Sequence, residues 1–141
     1  TGQLVYKGDV LKMVAAGTVQ ASVADDGLIV VGIAAEYKDG TTAGTKVLVY
    51  DDPMIIYGVQ MDDVGTASTS ADVGQTANHL ATAADTTLKI SRHELDMSDI
   101  GTGAQLKILR LIDEPDNSWG ANADVEVIFN EHFYKAAVAG V

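Results

Sequence analysis

The side chains in this sequence that could carry chemistry are three scattered histidines and a set of paired acids. His79, His93 and His132 form no H-x-H or H-E-x-x-H pair, and His93-Glu94 has no second histidine at helical spacing. A metal site would need them to converge, so they read as ordinary surface or hydrogen-bonding histidines. The acid pairs are Asp25-Asp26, Asp51-Asp52, Asp62-Asp63 and Asp113-Glu114. Loop carboxylates can hold calcium, but no segment fits the D-x-[DN]-x-[DN]-G loop with its closing Glu. Asp113, Asp116 and Asn117 could contribute to an irregular calcium site, although Asp in such places more often shapes a turn. Paired carboxylates also cleave glycosides, yet one Trp, five Tyr and two Phe would furnish a sugar cleft thinly. Ser22, Ser68, Ser70, Ser91, Ser98 and Ser118 lack a G-x-S-x-G setting. Ser91 and His93 share one side of an extended segment, but no nucleophile elbow surrounds them. Gly101-Thr102-Gly103 has no third glycine and no phosphate-binding lysine, so it reads as a turn. With no cysteine, disulfides, thiolate metal sites and cysteine nucleophiles are excluded. No catalytic residue, metal or cofactor is expected.

The elements that would position these residues follow from composition. The chain has 141 residues, 9 Lys+Arg against 20 Asp+Glu, and a formal net charge of −11. Phosphate backbones and anionic membrane surfaces attract cations, so neither nucleic acid nor membrane is an expected partner. No apolar stretch is long enough to span a bilayer as a helix, and no targeting segment is visible. A hydrophobic content of 47% is too high for a disordered acidic chain, and the length suits one domain. Fifteen of the twenty acids are Asp, a turn and cap residue. Asp25-Asp26-Gly27, Lys38-Asp39-Gly40, Asp51-Asp52-Pro53 and Asp113-Glu114-Pro115-Asp116-Asn117 each separate two apolar runs.

Those runs are short and read as strands. Gly27 to Ala34 is continuous and β-branched, as for a strand buried on both faces. Thr45 to Tyr50 alternates with Val47 and Val49 on one face, and Met54 to Gln60 follows one turn later, so the two are expected to pair as a hairpin. Thr86 to Ile90 alternates. Gln105 to Ile112 alternates imperfectly. Asp124 to Asn130 turns Val125, Val127 and Phe129 inward. The expected fold is all-β: one small barrel or tulip-like sandwich of about seven to nine strands over residues 1–141. Residues 1–8 form an N-terminal arm in this reading, and 132–141 a small apolar C-terminal tail. Residues 64–85 are too small and polar to build a core and read as a long loop with one helical turn near Ala71. Trp119, in a loop before the last strong strand, either plugs one end of a barrel or anchors an interface.

One resemblance stands out. Val31-Gly32-Ile33-Ala34-Ala35-Glu36-Tyr37, Val47-Leu48-Val49-Tyr50-Asp51-Asp52-Pro53 and Tyr57-Gly58-Val59-Gln60-Met61-Asp62 resemble, in that order, segments of tailed-phage virion proteins. Asp72-Val73-Gly74, Ser91 to Leu95, Glu114 to Asn117 and Asp124 to His132 fit the same pattern, which spans about Gly27 to Tyr134. The chain looks like the small capsid decoration, or cement, proteins. The resemblance implies a non-enzymatic virion protein on the outer surface of a phage head, stapling capsomers of the major capsid protein, as a homotrimer. The expected contact residues are Gly2, Gln3, Leu4, Val5, Tyr6 and Lys7, the 64–85 loop, Trp119, and the start of the tail at His132, Phe133 and Tyr134. Rival expectations are a tail-tube or head–tail connector protein, a calcium- or carbohydrate-binding β-domain of an appendage, and a small Asp/His hydrolase.

Overall fold

A computed structural model describes residues 3–14, 17–23, 29–42, 44–103 and 105–135. These residues form twelve strands: β1 Leu4–Val5, β2 Val10–Val14, β3 Thr18–Ala21, β4 Val30–Ala34, β5 Lys38–Asp39, β6 Val49–Tyr50, β7 Ile56–Gln60, β8 Thr76–Ala77, β9 His79–Leu80, β10 Glu94–Leu95, β11 Leu106–Leu111 and β12 Asp124–Phe129. Half of them are two residues long. All named strand pairs are antiparallel. One four-stranded sheet has the order β7-β12-β11-β8, and the other β3-β2-β4-β6. Two ribbons, β1-β5 and β10-β9, complete an all-β architecture.

Two cores explain which sequence patterns appear. The larger joins Val125, Val127 and Phe129 of β12 to Leu106 and Ile108 of β11, with Met61, Ala77, Leu95 and Met97, and takes Val10 and Val30 from the second sheet. The smaller holds Leu11, Ala34 and Val5. β2 and β4 therefore bury residues on both faces, which is why Val30 to Ala34 reads as a continuous apolar run. β12 keeps one face inward, which is why it alternates. The imperfect alternation of β11 is a bulge. Ile108 pairs with Val127 and Arg110 with Glu126, so Leu109 is an extra residue. The shift turns Arg110 outward, where Nε meets Glu126 Oε2 at 2.8 Å.

The expected hairpin of 45–50 with 54–60 does not form. β6 pairs with β4 and β7 with β12, in different sheets. Val47 and Val49 pack against the smaller core, while Tyr57 and Val59 pack against the larger one. The Asp52 turn is present, with the Met54 N–H on Asp52 Oδ1 at 2.8 Å. It carries the chain round a corner instead of folding it back. Thr86 to Ile90 is likewise a turn, closed by Thr87 and Leu88 N–H groups on Asp85 Oδ1. The helical turn near Ala71 is there, as a 3-10 turn over Ser70–Asp72 with a Thr69/Asp72 capping box. The rest of 64–85 is less of a loop than its composition suggests: Ser68, Thr76, Ala77, Asn78 and His79 are buried.

Gly32 sits at a close approach. Its φ is 153°, and a Cβ there would strike the Tyr50 carbonyl and the Val49 side chain. Gly17, at φ 69°, faces open space. Gly32→Ala should therefore cost about 3 kcal/mol, from strain plus overlap with β6, and Gly17→Ala only about 1 kcal/mol. Urea unfolding of both variants checks the contrast, and equal losses would refute it.

Candidate functional site

A polar chain is buried where the N-terminal ribbon meets the segment leading into β10. The Asp9 side chain is only 3% exposed by residue. Its Oδ2 accepts the Tyr6 N–H at 2.8 Å, and its Oδ1 lies 3.6 Å from His93 Nε2. The Val10 N–H donates to His93 Nδ1 at 3.3 Å. A backbone amide can only donate, so Nδ1 is bare and the ring proton sits on Nε2, toward Asp9. The His93 ring stacks on His79 with centroids 5.2 Å apart. Gln105 Oε1 accepts the His79 backbone N–H at 3.2 Å and lies 2.7 Å from His79 Nδ1. Since only an oxygen can accept that amide, Nδ1 must carry the His79 proton. Nε2 is left buried without a partner.

An aspartate holding a histidine can activate a hydroxyl when the other ring nitrogen is free to take its proton. In this chain the free position on His93 is capped by Val10. Ser91 Oγ accepts the His93 backbone N–H at 3.2 Å and is thereby engaged on the backbone. The arrangement is a brace between strands. The acids tell a similar story. Asp39, Asp52, Asp62, Asp72, Asp85, Asp96 and Asp99 all accept backbone N–H groups. Among the described residues, no three His or acidic side chains converge on a metal position.

The second feature is an exposed apolar corner. Tyr57, half-buried, meets Phe129 edge-on at 5.3 Å, and Phe129 lies 5.5 Å from the His132 ring. His132 contacts Tyr134, which packs edge-on against Phe133 at 5.3 Å. The row runs from the core to the surface: Phe129 is fully buried, while Phe133 and Tyr134 are 51% and 61% exposed. The Phe133 N–H bonds the Val30 carbonyl, fixing this end of the chain to β4. Tyr57 Oη donates to the Tyr50 carbonyl, tying β7 to β6. Leu48, just before β6, and Tyr50, Met54 and Ile56, on and between those strands, are exposed as well.

The expected contact residues fall in different places. Gly2 lies outside the described residues, as does 136–141 of the tail. Leu4 and Val5 pair with Asp39 and Lys38, Val5 is buried in the smaller core, and Lys7 bridges to Ile90. Tyr6 lies 5.4 Å from Tyr37, and Gln3 is exposed. Trp119 is half-buried against the larger core. His132 is buried, its Nδ1 accepting the Tyr134 N–H at 3.2 Å. Phe133 and Tyr134 face outward. Sequence reasoning missed Leu48, Tyr50, Met54 and Ile56. The signal was present in the apolar residues flanking Asp51-Asp52-Pro53, but it was absorbed by the expected hairpin. No protein-family model, curated protein or solved structure matches the chain.

Burial pushes the His93 pKa down from 6.5 to about 4; Asp9 opposes the shift and His79 adds to it. Burial also lowers His132, against the pull of the Val31 carbonyl and Asp51. Both imidazoles take protons more readily in the unfolded chain. The His93 contribution is intact above pH 6.5 and is lost as pH falls toward 4, by about 3 kcal/mol. Urea unfolding across that window should show the loss, and His93→Gln should flatten it. An unchanged slope in the variant would refute the assignment.

Proposed function

We propose that this chain is a non-enzymatic structural protein of a tailed-phage virion, bound to the outside of the head and stabilising contacts between capsomers of the major capsid protein as a homotrimer. The observation that carries the reading is the exposed apolar corner. Leu48, Tyr50, Met54, Ile56, Phe133 and Tyr134 leave large apolar side chains in water on a chain of net charge −11. Such patches mark protein interfaces, and their aromatic content matches what interfaces use as anchors. The aromatic row behind it gives the patch a rigid base, so little side-chain entropy is lost on binding. The capped His93 and the engaged Ser91 support a role without catalysis. A protein present in many copies gains from multivalency: a modest contact repeated between linked capsomers yields high avidity.

The N-terminal stretch needs a gentler test than deletion. Val5 contributes to the smaller core and Tyr6 to the Asp9 knot, so removing Leu4–Lys7 should destabilise the fold as well as any interface. Surface variants avoid that problem. Phe133→Ser combined with Tyr134→Ser should leave the melting temperature within a few degrees while weakening head binding at least about tenfold. Cosedimentation of the chain with expanded heads lacking it measures this, and cryo-electron microscopy of the decorated particle locates it. Density in the tail tube or at the portal would replace the head assignment with a tail or connector role. Unweakened binding by the double variant would remove the corner from the interface.

A further inference from the structure

A pocket of about 240 Å³ lies between the two four-stranded sheets, beside the β10-β9 ribbon. Val10 and Ile33 line it from one sheet, and Val59, Leu106, Val127 and Phe129 from the other. Gly8, Gly58 and the exposed Gln60 border it. Rings form much of its wall: Tyr57, Phe129, His79 and His93. Several of the polar side chains around it are already engaged. Tyr57 Oη donates to the Tyr50 carbonyl, His93 Nδ1 takes the Val10 N–H, and Glu94 Oε2 accepts the Thr82 hydroxyl at 2.7 Å. His79 differs. It is 1% exposed, and its protonated Nδ1 is turned to Gln105, which does not line the pocket. The opposite ring edge, with Nε2, is therefore the one turned toward the pocket. Nε2 is a bare acceptor with no hydrogen-bond partner among the described residues.

We propose that this pocket binds a small neutral ligand made of one aromatic ring and a hydroxyl group, whose O–H donates to His79 Nε2. Size sets the body of the ligand: an apolar cavity of about 150 Å³ is enough for benzene, so this one holds a single substituted ring. The wall sets its character. Aliphatic side chains bury apolar surface, and the surrounding rings favour an aromatic partner in offset or edge-on contact. His79 sets the polar end. A bare imidazole nitrogen can only accept, so the ligand must donate, and an acceptor buried unpaired is a cost that such a donor removes. Charge sets the rest. An anion would meet Glu94 on a chain of net charge −11, and a cation would leave water for a largely apolar wall. Pockets of this kind, apolar with one placed polar group, are the usual form of small-molecule sites. Occupancy can be measured whether or not the chain decorates a head.

The test is an NMR titration of the intact chain with phenol, toluene and benzylamine, three probes of similar size. Phenol should give saturable shifts at the methyl groups of Val10, Ile33, Val59, Leu106 and Val127. It should bind at least about fivefold more tightly than toluene, the worth of one hydrogen bond. The comparison is stringent, because toluene is the more hydrophobic probe and a pocket without an acceptor would prefer it. The nitrogen signal of His79 Nε2 should move as phenol saturates. His79→Phe keeps a ring but drops the acceptor, and should erase the preference for phenol. Should that variant not fold, the Nε2 signal of the unaltered chain reads the same contact. No saturable binding of phenol, methyl shifts mapping elsewhere, toluene binding as tightly, or an unmoved Nε2 signal at saturation would overturn the proposal. So would tighter binding of benzylamine, which would make Glu94 the anchor, or a phenol preference that survives in His79→Phe.

Discussion

The fold depends on satisfying one buried carboxylate. Asp9 is taken out of water, and a charge so placed is tolerated only if donors meet it. The Tyr6 N–H donates to it at 2.8 Å, and the His93 Nε2–H faces it at 3.6 Å. Backbone bonds from Gly8 and Ala34 run through the same point, Gly8 N–H to the Ala34 carbonyl and Ala34 N–H to the Asp9 carbonyl. The knot therefore joins the end of β1, the start of β2, the end of β4 and the segment before β10. None of these contacts is large in free energy alone. Together they fix which way β2 presents its side chains, Val10 to one core and Leu11 to the other.

That orientation has consequences at a distance. With Leu11 and Ala34 committed to the smaller core, Val47 and Val49 must lie over them, and β6 is drawn to β4 instead of to its neighbour in sequence. The chain then has to turn the corner at Asp51–Ile55 to deliver Tyr57 to the larger core. A corner between two sheets cannot bury its outer side chains against either. Met54, Ile56 and Tyr50 are exposed for this geometric reason, and Tyr57 links this corner to the aromatic row through the Tyr50 carbonyl and the Phe129 ring. The apolar corner is thus a product of the topology, and no single strand pattern encodes it.

This also explains what the sequence could and could not reveal. β12 was legible residue by residue because one sheet face is wet and the other dry, which forces strict alternation. β4 was legible for the opposite reason, since both faces are dry. β11 was half legible because Leu109 sits in a bulge, and an extra residue breaks the period of two. The 64–85 segment misled because bulk was used as the sign of burial. Asn78 and His79 are buried through hydrogen bonds to Asp99 and Gln105, and polar burial leaves no hydrophobic period to read. Local signals were sound where the determinant was local: Asp39 and Asp52 do cap turns.

The candidate surfaces follow the same division. Phe133 and Tyr134 could be named from sequence because two large aromatic side chains directly follow the last strong strand. Val5, grouped with them as part of an arm, could not be sorted from Leu4 without knowing that β5 returns to pair with it. A two-residue ribbon carries too little pattern to be seen. The same ribbon decides how the molecule can meet others. It covers one side of the smaller core but does not pair with β3 among the described residues, so a cleft over that core stays open. The fold thus leaves two features open: an exposed corner of large apolar side chains, and a cleft over the smaller core bordered by a strand edge that is unpaired among the described residues.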